Sequence, residues 1–191
     1  MGDGNKLANP APLGLMGFGM TTVLLNIHNS GFFPDAGSMI MGMGIFFGGL
    51  AQLIAGVLEF RKGNTFGMTA FASYGSFWLT LVAMWGLPKT GLAVAPPREF
   101  VGCYLFMWGL FTALMFVGTL KANRVLQFIF ASLAVLFVLL AVEHWVAEEA
   151  AHVIGKIAGF EGIICGFSAI YLAMAEVINE AHGKVLLPVG E

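Results

Sequence analysis

Six long apolar segments constrain this chain more than any other feature of its sequence. Each has about 20 residues, which is enough to cross the hydrocarbon of a bilayer as a helix. Of the 191 residues, 58% are hydrophobic and 10% charged, whereas a soluble domain carries about 25% charged residues. The sequence therefore predicts an all-α membrane protein with one transmembrane domain over residues 1–191. The predicted spans are 12–33, 38–58, 66–87, 100–120, 125–145 and 157–178.

The lysines and arginines between these spans predict the orientation. With the N-terminus inside, the inner connections and tails hold Lys6, Arg61, Lys62, Lys121, Arg124 and Lys184. The outer connections hold Lys89, Arg98 and Lys156. Because the cytoplasmic side carries the excess of positive charge, both termini are expected in the cytoplasm, in tails of about 1–9 and 179–191. The acidic residues expected at or near the outer side are Asp35, Glu99, Glu143, Glu148, Glu149 and Glu161.

Three asparagines stand where the odd-numbered spans begin. Asn9, Asn64 and Asn123 are suited to N-cap positions, since the side-chain oxygen accepts from an unpaired backbone N–H group. Pro10 and Pro12 are compatible with a first helical turn. The unpaired N–H groups of such a helix start also attract small anions. Asn9 is therefore read either as a plain cap or as part of an anion site.

The same spacing predicts an internal repeat. Phe18 follows Asn9 by nine residues, and Tyr74 and Leu133 follow the other two asparagines by ten. Three parallel two-helix units of this kind can surround an axis along the membrane normal. Phe18, Tyr74 and Leu133 would then form an apolar ring around a pore within each subunit. The alternative is chance similarity among helices rich in glycine and phenylalanine.

The polar residues inside the spans are almost all neutral, and no lysine or arginine lies near the middle of a span. Such a lining suits a small solute held by hydroxyls, amides and backbone dipoles, and a small monocarboxylate fits it. Each group could equally satisfy contacts between helices. The candidate lining residues are Thr21, Gln52, Ser73, Thr112 and Ser132.

Two carboxylates near the inner ends of even-numbered spans are candidates for proton binding. Glu59 and Glu176 could take up and release a coupling proton, or could be ordinary interfacial carboxylates. Cys103 and Cys165 lie far apart in apolar runs, which predicts buried thiols rather than a metal site. No nucleophile–base pattern, phosphate loop, cofactor motif or basic patch for nucleic acid is present. The sequence predicts neither an enzyme nor a bound cofactor.

The first span begins with a distinctive heptapeptide, which consists of Asn9, Pro10, Ala11, Pro12, Leu13, Gly14 and Leu15. This heptapeptide resembles the signature of the acetate uptake transporter family. The resemblance continues through residues 16–22, 62–67, 73–80, 118–121, 124–128 and 169–174, and it covers nearly the whole chain.

The resemblance implies a hexamer of six-helix subunits in the cytoplasmic membrane. Members move acetate, and in bacteria also succinate, with uptake linked to protons. Carried onto this chain, the family's constriction falls on Phe18, Tyr74 and Leu133, and its signature is associated with substrate passage. Leu133 and Ala169 match positions linked to substrate size. The resemblance leaves open whether the protein is an alternating-access symporter or a channel.

Two other functions remain open from the sequence. The neutral lining also suits a passive channel for acetate or for small neutral solutes such as water, ammonia or urea. A structural or cofactor-holding membrane subunit would have a similar composition, but would carry a pigment, haem or quinone.

Overall fold

The computed structural model describes residues 7–33 and 35–190, and throughout these ranges the regular structure is helical. Six long helices follow one another, which confirms the predicted all-α class. The third continues into a 3₁₀ turn, Leu87–Thr90. The helices are α1 Ala11–Asn29, α2 Gly37–Lys62, α3 Thr65–Gly86, α4 Arg98–Gly118, α5 Arg124–Trp145 and α6 Glu148–His182.

Five of these helices, α2 to α6, are long and apolar enough to cross a membrane. α1 has 19 residues, and more than half of them are buried by its neighbours. A helix enclosed in this way can carry glycine, threonine and asparagine, because little of its surface faces lipid. The lower hydropathy of α1 therefore follows from its place inside the bundle.

Two of the three predicted asparagine caps are confirmed. The side-chain oxygen of Asn64 accepts from the Gly67 N–H at 3.0 Å, and that of Asn123 accepts from Leu126 N–H at 2.8 Å. The prediction for Asn9 was wrong, because Pro10 occupies the N-cap of α1. Asn9 lies one residue before it, and its amide is bonded to other helices.

The first and last spans differ most from their predicted bounds. α1 ends at Asn29 rather than 33, since Gly31 turns the chain with a φ of 92°. α6 begins at Glu148 rather than 157, so most of the predicted outer loop is helical. It begins with two glutamates, which suit the positive end of a helix but lie outside the apolar run. α6 also extends to His182, which shortens the predicted C-terminal tail.

α2 exceeds its predicted bounds at both ends and contains a π-helical segment, Gly44–Ala51. It ends at Lys62, followed by Gly63 in the left-handed region with a φ of 78°. Parts of the predicted tails, residues 1–6 and 191, lie outside the described residues, and so does Lys6 of the charge count.

The helices pack in three pairs. α2 packs against α3, α4 against α5, and α6 against α1. The last of these interfaces is tight, because glycines let the backbones approach. A Cβ atom added to Gly19 would lie 2.7 Å from the carbonyl oxygen of Gly166. At Gly162 it would lie 2.5 Å from Asn26 Oδ1.

The segment after α6 folds back onto the start of α5. The carbonyl oxygens of Gly190 and Val189 accept from the N–H groups of Arg124 and Val125, both at 3.1 Å. These donors belong to the first turn of a helix and have no partner within it. The chain itself thus satisfies the N-terminus of α5.

Candidate functional site

A cavity of about 260 Å³ opens at the end of the bundle where α1 begins. One water occupies about 30 Å³ of the liquid, so the space can hold a small organic ion with several waters. Its mouth carries the polar side chains of Asn9, Glu59, Lys62, Asn64 and Glu176. Its deeper part is mostly aromatic and aliphatic.

Phe18, Tyr74 and Leu133 meet at the deep end of this cavity. They come from α1, α3 and α5, roughly 10–14 Å below the helix starts at 1.5 Å per residue. The three side chains are 7%, 4% and 3% exposed, and the ring centroids of Phe18 and Tyr74 lie 6.0 Å apart. The structure therefore brings the three predicted ring residues together as one apolar cluster, called the constriction below.

The hydroxyl of Tyr74 is held behind the constriction by Thr112. Their oxygens lie 2.9 Å apart, and Thr112 Oγ1 donates its own proton to the carbonyl oxygen of Trp108 at 2.7 Å. Each hydroxyl has one proton, so Tyr74 must be the donor to Thr112. The Tyr74 oxygen is left with lone pairs and no proton to offer to a solute.

Asn9 joins three helix ends at the mouth. Its amide nitrogen donates to Glu176 Oε2 at 2.7 Å, while its oxygen accepts from Lys62 Nζ at 2.8 Å. The same oxygen is 3.3 Å from the backbone nitrogen of Ala11. The amide thus lies between a cation from α2 and a carboxylate from α6. The Lys62 contact, across 53 residues, has no local sequence signal.

Gln52 and Glu59 supply unpaired polar groups to the cavity wall. They are seven residues apart on α2, which places them on one face of the helix, and both are fully buried. Among the described residues, none of their four side-chain nitrogen and oxygen atoms has a hydrogen-bond partner. Buried polar atoms usually have a partner, either protein or ordered water. These groups are therefore available to water or to a polar solute in the cavity.

The other predicted site residues lie elsewhere. Thr21 is fully buried away from the cavity, and Ser73 faces a separate surface groove. Ser132 donates to Glu161, and Ala169 is buried within α6. Glu161 was expected at or near the outer side, which was wrong, because its partner lies near the middle of α5.

The signature heptapeptide divides between the cavity and the surface around it. Asn9, Ala11 and Leu15 line the cavity. Leu13 is 38% exposed and lies on an outer groove, whereas Gly14 is buried. Only part of the heptapeptide can therefore touch a solute in this conformation.

The model of the GPR1/FUN34/yaaH family matches residues 3–191 of this chain. The chain belongs to that family. This confirms the resemblance found in the sequence.

Several relatives have names that refer to transport. The chain is 63% identical over 186 residues to the succinate-acetate/proton symporter SatP of Escherichia coli (strain K12), covering 97% of each protein. It is 32% identical to acetate permease A of Emericella nidulans, covering 98% of this chain and 67% of the permease. It is 35% identical to ammonia transport outward protein 2 of Saccharomyces cerevisiae, covering 96% of this chain and 66% of the yeast protein.

A solved structure of the bacterial acetate channel SatP superposes with a TM-score of 0.92 at 62% identity. The match covers 97% of this chain and 100% of the solved one. This protein is therefore a multi-pass membrane transport protein and not an enzyme.

Proposed function

We propose that the protein carries acetate and related short carboxylates, including succinate, across the cytoplasmic membrane, with uptake linked to protons. One observation carries the proposal: a cavity with a polar mouth ends at an apolar constriction inside a membrane bundle. The names of the relatives support the solutes, since they specify succinate, acetate and protons or an acetate channel.

With the proton that we propose for Glu59 and Glu176 in place, the mouth is suited to attract a carboxylate. The Lys62 ammonium supplies a positive charge, and Asn9 fixes its position. Deeper in the cavity, the unpaired Gln52 amide can donate to a carboxylate oxygen. A solute that moves inward can therefore exchange part of its water shell for protein groups before it reaches the constriction.

The constriction favours the neutral acid over the anion. Phe18 and Leu133 offer no hydrogen bond, and the proton of Tyr74 is given to Thr112. The Tyr74 oxygen can accept from the O–H of acetic acid but cannot donate to acetate. An anion in this apolar space would be poorly solvated. Each acetate that passes as the acid carries one proton, which links the two movements.

Glu59 and Glu176 are proposed to hold the proton at the mouth. Both line the cavity, and Glu59 is fully buried without a partner for either oxygen. A buried ionised carboxylate without a partner is costly, so a proton or a cationic neighbour would stabilise this position. A solute carboxylate at Lys62 would lie in the same cavity as these acids.

The pairwise packing supports the predicted repeat within a single transmembrane domain. Each even-numbered helix packs against an odd-numbered helix, α2 on α3, α4 on α5 and α6 on α1, as expected if three related hairpins surround one axis. We extend the proposal to cytoplasmic termini and to a hexamer in which every subunit has its own pore. Crosslinking in native membranes tests the subunit number.

A passive channel is the second candidate, because the bacterial relative is described both as a symporter and as a channel. Uptake of labelled acetate into proteoliposomes, with an inward proton gradient or with an imposed membrane potential, separates the two. Empty liposomes give the baseline for acetic acid that crosses the lipid. A symporter that moves one proton with each acetate reaches the level set by the pH gradient sooner than empty liposomes do, and its rate does not depend on the membrane potential. A channel for the acetate anion moves charge, so its uptake rises when the lumen is made positive.

Three alanine variants test the constriction. Phe18→Ala, Tyr74→Ala and Leu133→Ala are expected to change acetate flux or the preference between acetate and larger carboxylates. Phe46→Ala, at a side chain that is 69% exposed on α2, is the matched control. If all three variants take up acetate like the wild type at equal expression, the solute does not pass through the constriction. Wild-type uptake no faster than in empty liposomes, for acetate and succinate alike, would refute the proposed function.

A further inference from the structure

A half-buried carboxyl group lies outside the cavity, between α5 and α6. Ser132 Oγ donates a hydrogen bond to Glu161 Oε1. The second oxygen, Oε2, is buried and has no hydrogen-bond partner among the described residues. Ser132 is near the middle of α5 and directly precedes Leu133 of the constriction. Glu161 is therefore deep in the membrane-spanning part of the bundle and does not line the cavity.

The surface around this pair is apolar. One turn before and one turn after each residue, the helix exposes a large hydrophobic side chain, as expected of a face that meets hydrocarbon or another apolar surface. These side chains are about half exposed. Glu161 itself is partly exposed between them. The four flanking residues are Phe128, Val135, Ile157 and Ile164.

No cation faces the carboxyl group within the described part of the chain. α5 presents Ser132, and α1 presents the neutral amide of Asn26, which packs against Gly162. On α6 the nearest titratable group is the buried thiol of Cys165, which contacts the carbonyl oxygen of Ile129 at 3.8 Å. A negative charge at Glu161 thus has one neutral donor and no counter-charge.

We propose that Ser132 and Glu161 form a proton-binding site inside the bilayer, and that acetate flux rises when the site holds its proton. The proton binds at Oε2, the oxygen without a partner, while Ser132 continues to donate to Oε1. The charge of Glu161 is weakly screened in a low-dielectric interior. Ionised Glu161 repels an acetate anion that approaches neighbouring Leu133 before it has taken up its proton, and protonation of Glu161 removes the repulsion. The control of acetate flux by Glu161 rests on the proposed acetate transport, whereas the proton-binding site does not.

Infrared difference spectroscopy between acid and alkaline pH tests the proton site directly. The wild-type protein in lipid is expected to give the C=O stretching band of a protonated buried carboxyl group. Glu161→Gln is expected to lose this band, and Glu149→Gln, at an exposed acid in the first turn of α6, to keep it. A Glu161→Gln spectrum identical to the wild-type spectrum would overturn the site.

Ser132→Ala provides a second measurement if Glu161→Gln fails to fold. Removing the serine hydroxyl frees the carboxyl C=O from its donor, so the band is expected to shift to higher frequency. An unshifted band would mean that the carboxyl group observed is not Glu161.

The control of acetate flux by Glu161 is tested by the pH profile of acetate uptake. Glu161→Gln has no charge at any pH, so its uptake at alkaline pH is expected to rise towards its value at acid pH, giving a flatter profile. A profile like that of the wild type would overturn the control of flux and leave the infrared result standing. A wild-type protein that moves no acetate would instead refute the proposed function, and the infrared band would still decide the proton site.

Discussion

Replacing Thr112 by valine tests how the constriction treats the proton of Tyr74. The substitution keeps the shape of the side chain and removes the oxygen that accepts the Tyr74 proton at 2.9 Å. The carbonyl oxygen of Trp108 loses a side-chain donor but remains within the α4 helix. The Tyr74 hydroxyl is then free to turn towards the cavity and to donate to a solute.

The expected change is large because the new donor meets a charged acceptor. A hydrogen bond to a charged group contributes about 1.5–3 kcal/mol, and every 1.4 kcal/mol corresponds to about a factor of ten. The preference of the constriction for acetic acid over acetate should therefore fall by about 10- to 100-fold. If the freed hydroxyl finds no acceptor, an unsatisfied buried donor costs about 1–3 kcal/mol of stability instead.

Initial rates of acetate uptake into proteoliposomes, measured across a pH series, are the assay. Thr112→Val should retain more of its uptake at alkaline pH than the wild type. Thr112→Ser should restore the wild-type profile, since it keeps the acceptor. Thr119→Val is the matched control at the end of the same helix, because this fully buried threonine is the C-cap of α4 and its hydroxyl donates only to the carbonyl oxygen of Phe116. A folded Thr112→Val protein with the wild-type pH profile would refute the reasoning.

Two further predictions concern packing and the mouth of the cavity. Gly162→Ala places a Cβ against the buried Asn26 side chain, and overpacking of this kind costs about 1–3 kcal/mol. Gly162→Ala should therefore lower the midpoint of thermal unfolding in detergent. Gly42→Ala is the control and should leave the midpoint unchanged, because no atom lies within 4 Å of the added Cβ. Equal midpoints for the two variants would contradict the close α1–α6 contact. Asn9→Ala removes two hydrogen bonds to charged groups, so we expect the free energy of unfolding to fall by about 1–2 kcal/mol. We also expect a higher KM for acetate. An unchanged KM would mean that the amide does not position the lysine for the solute.

Local interactions could be predicted from the sequence. Asn64 and Asn123 cap their helices through a backbone N–H group only three residues away, so residue type and position sufficed. The six helices were predictable for a similar reason, because length and hydropathy report on each segment separately. The start of α6 was missed, since Glu148 and Glu149 favour a helix N-terminus without contributing to hydropathy.

Contacts between helices could not be predicted in the same way. Asn9 bonds to residues 53 and 167 positions away, and those bonds determine its role more than the adjacent helix does. Ser132 and Glu161 meet because α5 and α6 have particular rotations about their axes. The hydropathy of the spans defines neither rotation, which is why Ser132 was expected in the lining and Glu161 at or near the outer side.

The folded-back segment at residues 183–190 has a consequence for biosynthesis. Its last carbonyl groups complete the first turn of α5, which the ribosome has made long before. At about 5–20 residues per second, Arg124 and Val125 wait roughly 3–13 s for these partners. The nascent bundle therefore exists for a time with two unpaired donors at the cytoplasmic surface proposed for this end. Joining the start of the fifth helix to the segment after the sixth is thus a late event in the maturation of the protein.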